Sequence, residues 1–180
     1  MKDLPILHFE YIPNLVESRL LLDTNFIIES NRYPEKFSEL IFYLREKTKN
    51  IFTLEVVKKE FLFGVQTKSE LNSLEKYFQQ LITNLEANTE CFSNNLLTAT
   101  KLYRNFKKKV SLEDFIIVTY LLSHEECVFL TKNHADFPLT FCNRIGFVIV
   151  EYENEIQHYA FYQIDSEKVE EILQSFEKTP

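Results

Sequence analysis

Short apolar runs alternate with stretches of helical periodicity, and the first such run ends on a carboxylate. Residues 19–23 read RLLLD, a buried strand with Asp23 at its carboxyl end. Thr24 and Asn25 follow, either of them suited to cap a helix that begins FIIES. YPEKFSELIFYLREK then sets Phe37, Leu40, Ile41 and Leu44 at intervals of three and four, and its lysine-rich end passes into NIFTL, a second strand. A strand–helix–strand unit of this kind packs its helix on a parallel sheet. In such sheets ligand-binding groups gather at the carboxyl ends of the strands, where Asp23 stands.

The alternation continues. From Leu54, EVVKKEFLFGV predicts a helix carrying Val56, Val57 and Phe61, with Glu60 about one turn from Val56 and Val57 and Gly64 marking its end. Residues 67–107 read as two or three helices forming an inserted layer, because Leu71, Leu74, Phe78, Leu81 and Leu85 recur at threes and fours, as do Leu96, Ala99 and Tyr103. In SLEDFIIVTYLLSHE, Ser111 is placed to cap and Asp114 follows three residues later. CVFLT is a further buried strand. GFVIVEY and IQHYAFYQI flank a turn-like ENE, and an amphipathic helix runs from about Ser166 to Phe176.

These elements predict an α/β fold with a central, mostly parallel sheet, followed by a C-terminal hairpin and helix. At 180 residues, 45% of them apolar, the chain suits one well-packed domain. Its expected parts are an N-terminal extension at 1–18, a core at 19–150 and a C-terminal strand and helix at 151–180. Two glycines in the whole chain exclude a GxGxxG turn or a P-loop. Cys91, Cys127 and Cys142 form no CxxC pair, and neither a signal-peptide core nor a long apolar run opens the chain, so a reduced, cytoplasmic protein with no membrane partner is expected. A net charge of −7 argues against a generally basic nucleic-acid coat but leaves room for a local basic patch.

Four segments carry the chemistry: LLLDTNFII around Asp23, TLEVVKKEFLFG around Glu60, SLEDFIIVTYLL around Asp114, and FLTKNHADFP around Asn133 and Asp136. In order and spacing they resemble the PIN-domain nucleases, including the VapC-like toxins of bacterial toxin–antitoxin pairs, over roughly residues 19–150. The resemblance implies a three-layer α/β/α arrangement and a divalent-metal-dependent ribonuclease (a phosphodiester hydrolase). It implies catalytic acids at Asp23, Glu60, Asp114 and Asp136, with Asp23, Asp114, Asp136 and Asn133 as metal ligands. Many relatives carry an acid where Asn133 stands, so one metal position has a neutral oxygen here. Thr131 resembles the hydroxyl residue that steadies the first carboxylate, and Asn25 its polar neighbour. The implied products are a 5′-phosphate and a 3′-hydroxyl, and the implied partners are an RNA substrate, a small antitoxin and a second copy of the chain.

Each residue also has a plainer reading. Asp23 alone is a helix cap, Glu60 a solvated acid pairing with Lys58 or Lys59, Asp114 part of a capping box, and Asn133 and Asp136 a polar turn before Pro138. Taken together, four acids suit Mg²⁺ or Mn²⁺, hard ions that take carboxylate and water oxygens. Such an ion activates water and neutralises charge at phosphorus, with room for a second ion about 4 Å away. Without metal the carboxylates repel, and at least one should hold a proton more readily than in water. KLYRNFKKK offers Arg104, Lys107, Lys108 and Lys109 as a basic rim for RNA, or else as cations at a helix end. His134 has no second histidine at ligand spacing and reads as a surface or RNA-contacting residue.

The functional expectation is therefore a metal-dependent endoribonuclease, the toxin of a type II toxin–antitoxin pair. The alternative is a catalytically degenerate PIN module that binds RNA or a protein partner. A phosphoaspartyl phosphatase fits poorly, because DTN lacks a second Asp two residues after the first.

Overall fold

The computed structural model describes residues 6–7, 11–87, 92–104, 109–152 and 155–177. Along the chain run β1 (Ile6–Leu7), β2 (Arg19–Leu22), α1 (Thr24–Arg32), α2 (Pro34–Lys47), β3 (Asn50–Leu54), α3 (Glu55–Leu62) and α4 (Lys68–Leu81). They are followed by β4 (Asn84–Glu86), α5 (Phe92–Arg104), α6 (Leu112–Leu121), β5 (Cys127–Thr131), β6 (Cys142–Tyr152), β7 (Glu155–Ile164) and α7 (Ser166–Glu177). The fold is α/β, as expected, and all seven strands form one mixed sheet in the order β1-β6-β7-β5-β2-β3-β4.

The four strands β5-β2-β3-β4 are parallel, and β1, β6 and β7 add antiparallel pairings. Within that parallel set β2, β3 and β5 are deeply buried, while β4 is an exposed edge. Leu20, Leu21 and Leu22 of β2 and Phe129 and Leu130 of β5 have no solvent exposure, and every residue of β5 is buried. A strand covered on both faces needs a continuous apolar run rather than an alternating one, which is why RLLL and CVFLT read as they do. Each such leucine contributes on the order of 1.5–3 kcal/mol by leaving water.

Parallel neighbours require crossover connections, and the helical segments supply them. Phe37, Leu40 and Leu44 of the stripe expected on α2 are fully buried, and Ile41, its fourth member, is partly buried against the core. The C-terminal hairpin and helix are also present. β7 lies between β5 and β6, with Thr131 opposite Ala160, and the expected boundary at residue 150 falls inside β6.

Two local expectations are corrected. Asp23, rather than Thr24 or Asn25, caps α1, because its side chain accepts the Thr24 N–H while both following residues already have helical backbone. Residues 67–107 are not a purely helical layer. The spacing from Leu81 to Leu85 mimics a helix, yet α4 ends at Leu81 with the Ile82 N–H on the Phe78 carbonyl. Thr83 N–H then reaches the Ile51 carbonyl at 2.8 Å, and Asn84–Glu86 becomes an edge strand beside β3.

Both glycines answer to geometry. Gly64 has φ +92° just past the end of α3, a left-handed position that L side chains rarely adopt. At Gly146 a Cβ would stand 2.5 Å from the Tyr11 carbonyl and 2.6 Å from Pro13 Cδ, at an irregularity in the β6–β7 register where the N-terminal segment crosses. Among the described residues, no helix is long and apolar enough to cross a membrane.

Candidate active site

β2 and β5 end side by side, with Leu22 opposite Leu130, and this pairing brings Asp23 and Thr131 together across 108 residues of sequence. Asp23 N–H bonds the Leu130 carbonyl at 3.2 Å, so the residue is fixed to β5 by its backbone before its side chain does anything. Its carboxylate is buried, at 6% exposure. Oδ1 accepts the Thr24 N–H at 2.7 Å, and Oδ2 accepts from both Asn25 Nδ2 and the Thr131 hydroxyl. A carboxylate offers roughly four acceptor positions, so one on Oδ1 remains open.

Thr131 is saturated by this arrangement. Its hydroxyl donates to Asp23 and accepts from Asn25 Nδ2 at 3.0 Å and from the Asn133 N–H at 2.9 Å. Asn25 is in turn held by its Oδ1, which accepts the Lys132 N–H at 3.3 Å. A single hydroxyl thus joins the end of β2, the first turn of α1 and the turn after β5.

Glu60 comes to the same place from α3. The Thr24 hydroxyl donates to Glu60 Oε2 at 2.5 Å, which links Glu60 to the residue beside Asp23. Lys58 does not take Glu60 as its partner. It pairs with Glu75 at 3.7 Å and lies over the Phe78 ring. Thr24, read from sequence only as a helix cap, is therefore a bridge between two acids. Its place in DTN beside Asp23 was the available signal.

Asp114 sits at the first turn of α6, as the capping pattern predicts. Its N–H bonds Ser111 Oγ at 3.0 Å, and the Ser111 hydroxyl donates back to Asp114 Oδ2 at 2.8 Å. It is 8% exposed. Asp136, half-buried in the turn after β5, accepts from Asn133 Nδ2 at 2.6 Å, while its backbone carbonyl receives the Tyr103 hydroxyl at 2.9 Å.

The electrostatics tie these acids together. Burial pushes the Asp23 carboxyl up to about 7; the Thr131 and Thr24 hydrogen bonds pull against that, and the negative charges of Asp114 and Glu60 add to it. Asp114 is also raised, first by burial and then by Asp136, Glu60 and Glu113, against the pull of Ser111. Burial raises the Tyr103 hydroxyl, and Cys142, Asp114 and Asp136 push it further. The groups acting on Asp23 and Asp114 are burial, hydrogen-bond donors and other carboxylates, so the site is an excess of negative charge held in low dielectric.

The donors are hard oxygens throughout, which fits a divalent cation of the Mg²⁺ or Mn²⁺ kind by its chemistry. Among the described residues, no three His, Cys, Asp or Glu side chains stand close enough together to enclose an ion. Asp23 is instead linked to Glu60 through Thr24, and Asp136 receives the Asn133 amide. An apolar cavity of about 500 Å³ lies elsewhere, between α2 and α4 beside Phe42 and Tyr77, and none of the acids lines it.

The basic candidates are partly visible. Arg104 and Lys109 are exposed, whereas Lys107 and Lys108 lie outside the described residues. Sequence reading missed Lys132, which stands next to Thr131. Its ammonium meets Glu29 Oε1 and Gln157 Oε1, both at 3.4 Å, and so joins α1 to β7 beneath the site. His134 is exposed, with Nδ1 3.1 Å from the Tyr162 hydroxyl. No protein-family model matches the sequence, and no curated protein matches it significantly.

Proposed function

We propose that this chain is a divalent-metal-dependent ribonuclease with the three-layer arrangement of a PIN domain, hydrolysing RNA phosphodiesters as the toxin of a type II toxin–antitoxin pair. One observation carries the reading: a buried carboxylate, Asp23, raised to about 7 chiefly by its burial and further by the charges of Asp114 and Glu60, is held in place by three hydrogen-bond donors. A protein retains such a cluster at a cost in stability where a cation or a reaction uses it.

In this reading Asp23, Asp114, Asp136 and the Asn133 carbonyl hold Mg²⁺ or Mn²⁺. When bound, the ion lowers the pKa of a water and neutralises charge on the scissile phosphate. Thr131 and Asn25 hold Asp23 Oδ2, which fixes the carboxylate and leaves Oδ1 an acceptor position for the ion. Ser111 does the same for Asp114. Glu60, exposed and, among the described residues, engaged only on Oε2 by Thr24, keeps Oε1 for the proton of the attacking water. Water adds to phosphorus, the bond to the 3′ oxygen breaks, and that oxygen takes a proton from solvent, giving a 5′-phosphate and a 3′-hydroxyl.

Arg104 and Lys109, with Lys107 and Lys108, form the proposed basic rim that guides RNA to the acids. A small antitoxin that covers the crevice and a second copy of the chain are the proposed protein partners. A cytoplasmic setting suits the buried free thiols of Cys127 and Cys142.

A second reading rests on Asn133. Its Nδ2 already occupies an Asp136 oxygen, which favours a module that binds RNA or a protein without cutting. Cleavage of a cellular RNA pool by purified protein with Mn²⁺, Mg²⁺ or EDTA separates the two, with Asp23→Asn as control. Metal-dependent cuts that vanish in the variant support the nuclease, while no cuts and no metal uptake support the binding module.

A further inference from the structure

We infer that Phe63, with Lys59 one turn before it, is a base-stacking and phosphate-contact point for single-stranded RNA at the edge of the acidic site; this rests on the nuclease reading above. Phe63 is 90% exposed, more than any other exposed large hydrophobic side chain described. Its neighbours explain why that exposure is not a failure to pack. Phe61 is buried and Leu62 lies against the core, so the FLF run gives the core two residues and turns the third outward.

The turn that presents it is held in place. Phe63 N–H bonds the Glu60 carbonyl at 3.1 Å, Val65 N–H bonds the Leu62 carbonyl at 3.4 Å, and Gly64 between them takes φ +92°. The backbone of Phe63 is thus tied to that of Glu60, whose carboxylate receives the Thr24 hydroxyl beside Asp23. Lys59 is exposed on the last turn of α3, and Phe63, four residues later, is the residue that caps that helix. An aromatic face with a cation alongside is the combination that holds a base and its phosphate in unpaired strands, and it tolerates any base because every base has a π-face. In a duplex the bases stack on each other and offer no free face, so the contact selects single strands.

The test is steady-state cleavage, with Mn²⁺, of fluorogenic single-stranded oligouridine and oligoadenosine by the full chain and by Phe63→Ala, Phe63→Leu and Phe63→Tyr. Loss of a stacking contact raises KM about 10-fold for both substrates in the Ala and Leu variants, with kcat within about 2-fold, and Tyr restores the wild-type value. Lys59→Ala lowers the slope of log KM against log salt by about 0.7, the share of one phosphate on a single strand. Wild-type cleavage with KM unchanged in Phe63→Ala overturns this inference and leaves the nuclease reading standing. A Leu variant equal to wild type beside a weakened Ala variant reveals a merely apolar contact, of the sort a protein partner makes, and also overturns it. A wild-type chain that cuts neither substrate overturns both the inference and the reading beneath it.

Discussion

The Thr131 hydroxyl donates to Asp23 Oδ2, so the end of β5 holds the acid at the end of β2. Thr131 is wholly buried and has no other donor to give. Replacing it leaves Asp23 with a higher proton affinity still, because that hydrogen bond is the largest influence lowering its pKa. Thr131→Ala should therefore weaken metal binding and cleavage about 10–100-fold, the usual effect of removing a group that orients a ligand, while Thr131→Ser retains most of both. Isothermal titration with Mn²⁺ beside the cleavage assay checks this; equal metal affinity in wild type and Thr131→Ala would refute the role.

Asp23→Asn removes a buried charge from a cluster of like charges. The amide oxygen can still accept the Thr24 N–H, so the cap on α1 survives, while the amide nitrogen, now facing the Asn25 and Thr131 donors, offsets part of the gain. The metal-free variant should be more stable than wild type by about 1–3 kcal/mol, and it should not cleave RNA. Added Mn²⁺ should reverse the order, stabilising wild type by about 2.7 kcal/mol at a hundred times its Kd and leaving the variant unmoved. Urea unfolding with EDTA and with Mn²⁺ measures both halves. A destabilised metal-free variant would mean that Asp23 is structural.

The sign of the pH dependence follows from the same carboxyl. Its pKa rises from 3.8 in the unfolded chain to about 7 in the fold, so between those values the folded state binds the extra proton. This contribution is full below about pH 4, is lost as pH climbs towards 7, and is flat beyond; Asp114 is raised in the same direction and adds to the trend. Metal-free protein should thus lose stability from pH 4 to 7, whereas Asp23→Asn shows a shallower slope. Metal affinity runs the other way and increases through that window, because the ion displaces the proton. Urea midpoints across the range, in EDTA, decide the matter.

How much of this was legible in the sequence varies with the kind of signal. Asp114 was, because a capping box is local: Ser111 and Asp114 are three residues apart and bond each other in the fold. Buried parallel strands were too, since RLLL and CVFLT must be apolar on both faces. The Asp23–Thr131 bond was not readable from residue pattern alone, because it spans 108 residues and depends on β2 and β5 being adjacent; only the resemblance pointed to it. The strand β4 was missed because an exposed edge strand of three residues has no period to detect, and Leu85, the residue that extended the false helical pattern, is 42% exposed. Thr24's bridge to Glu60 and Lys132's link to Glu29 are likewise products of topology.

Asn133 offers the sharpest separation between an active nuclease and a binding module. Its Nδ2 donates to Asp136 Oδ2 at 2.6 Å, so in the metal-free protein the amide relieves one carboxylate of part of the local repulsion. Asn133→Asp turns that donor into a second acceptor at the same separation and adds a charge beside acids that burial, and then one another's charge, already raise. The metal-free variant should melt several degrees lower, consistent with roughly 1–3 kcal/mol from a lost charge-assisted bond and new like-charge contact. If the position serves an ion, the added carboxylate should tighten Mn²⁺ binding about 10-fold, and saturating metal should restore the melting temperature. If the chain binds without cutting, the variant stays destabilised whatever metal is added, because no ion is there to be shared. Thermal melts with EDTA and with Mn²⁺ therefore read the role of Asn133 independently of any RNA substrate.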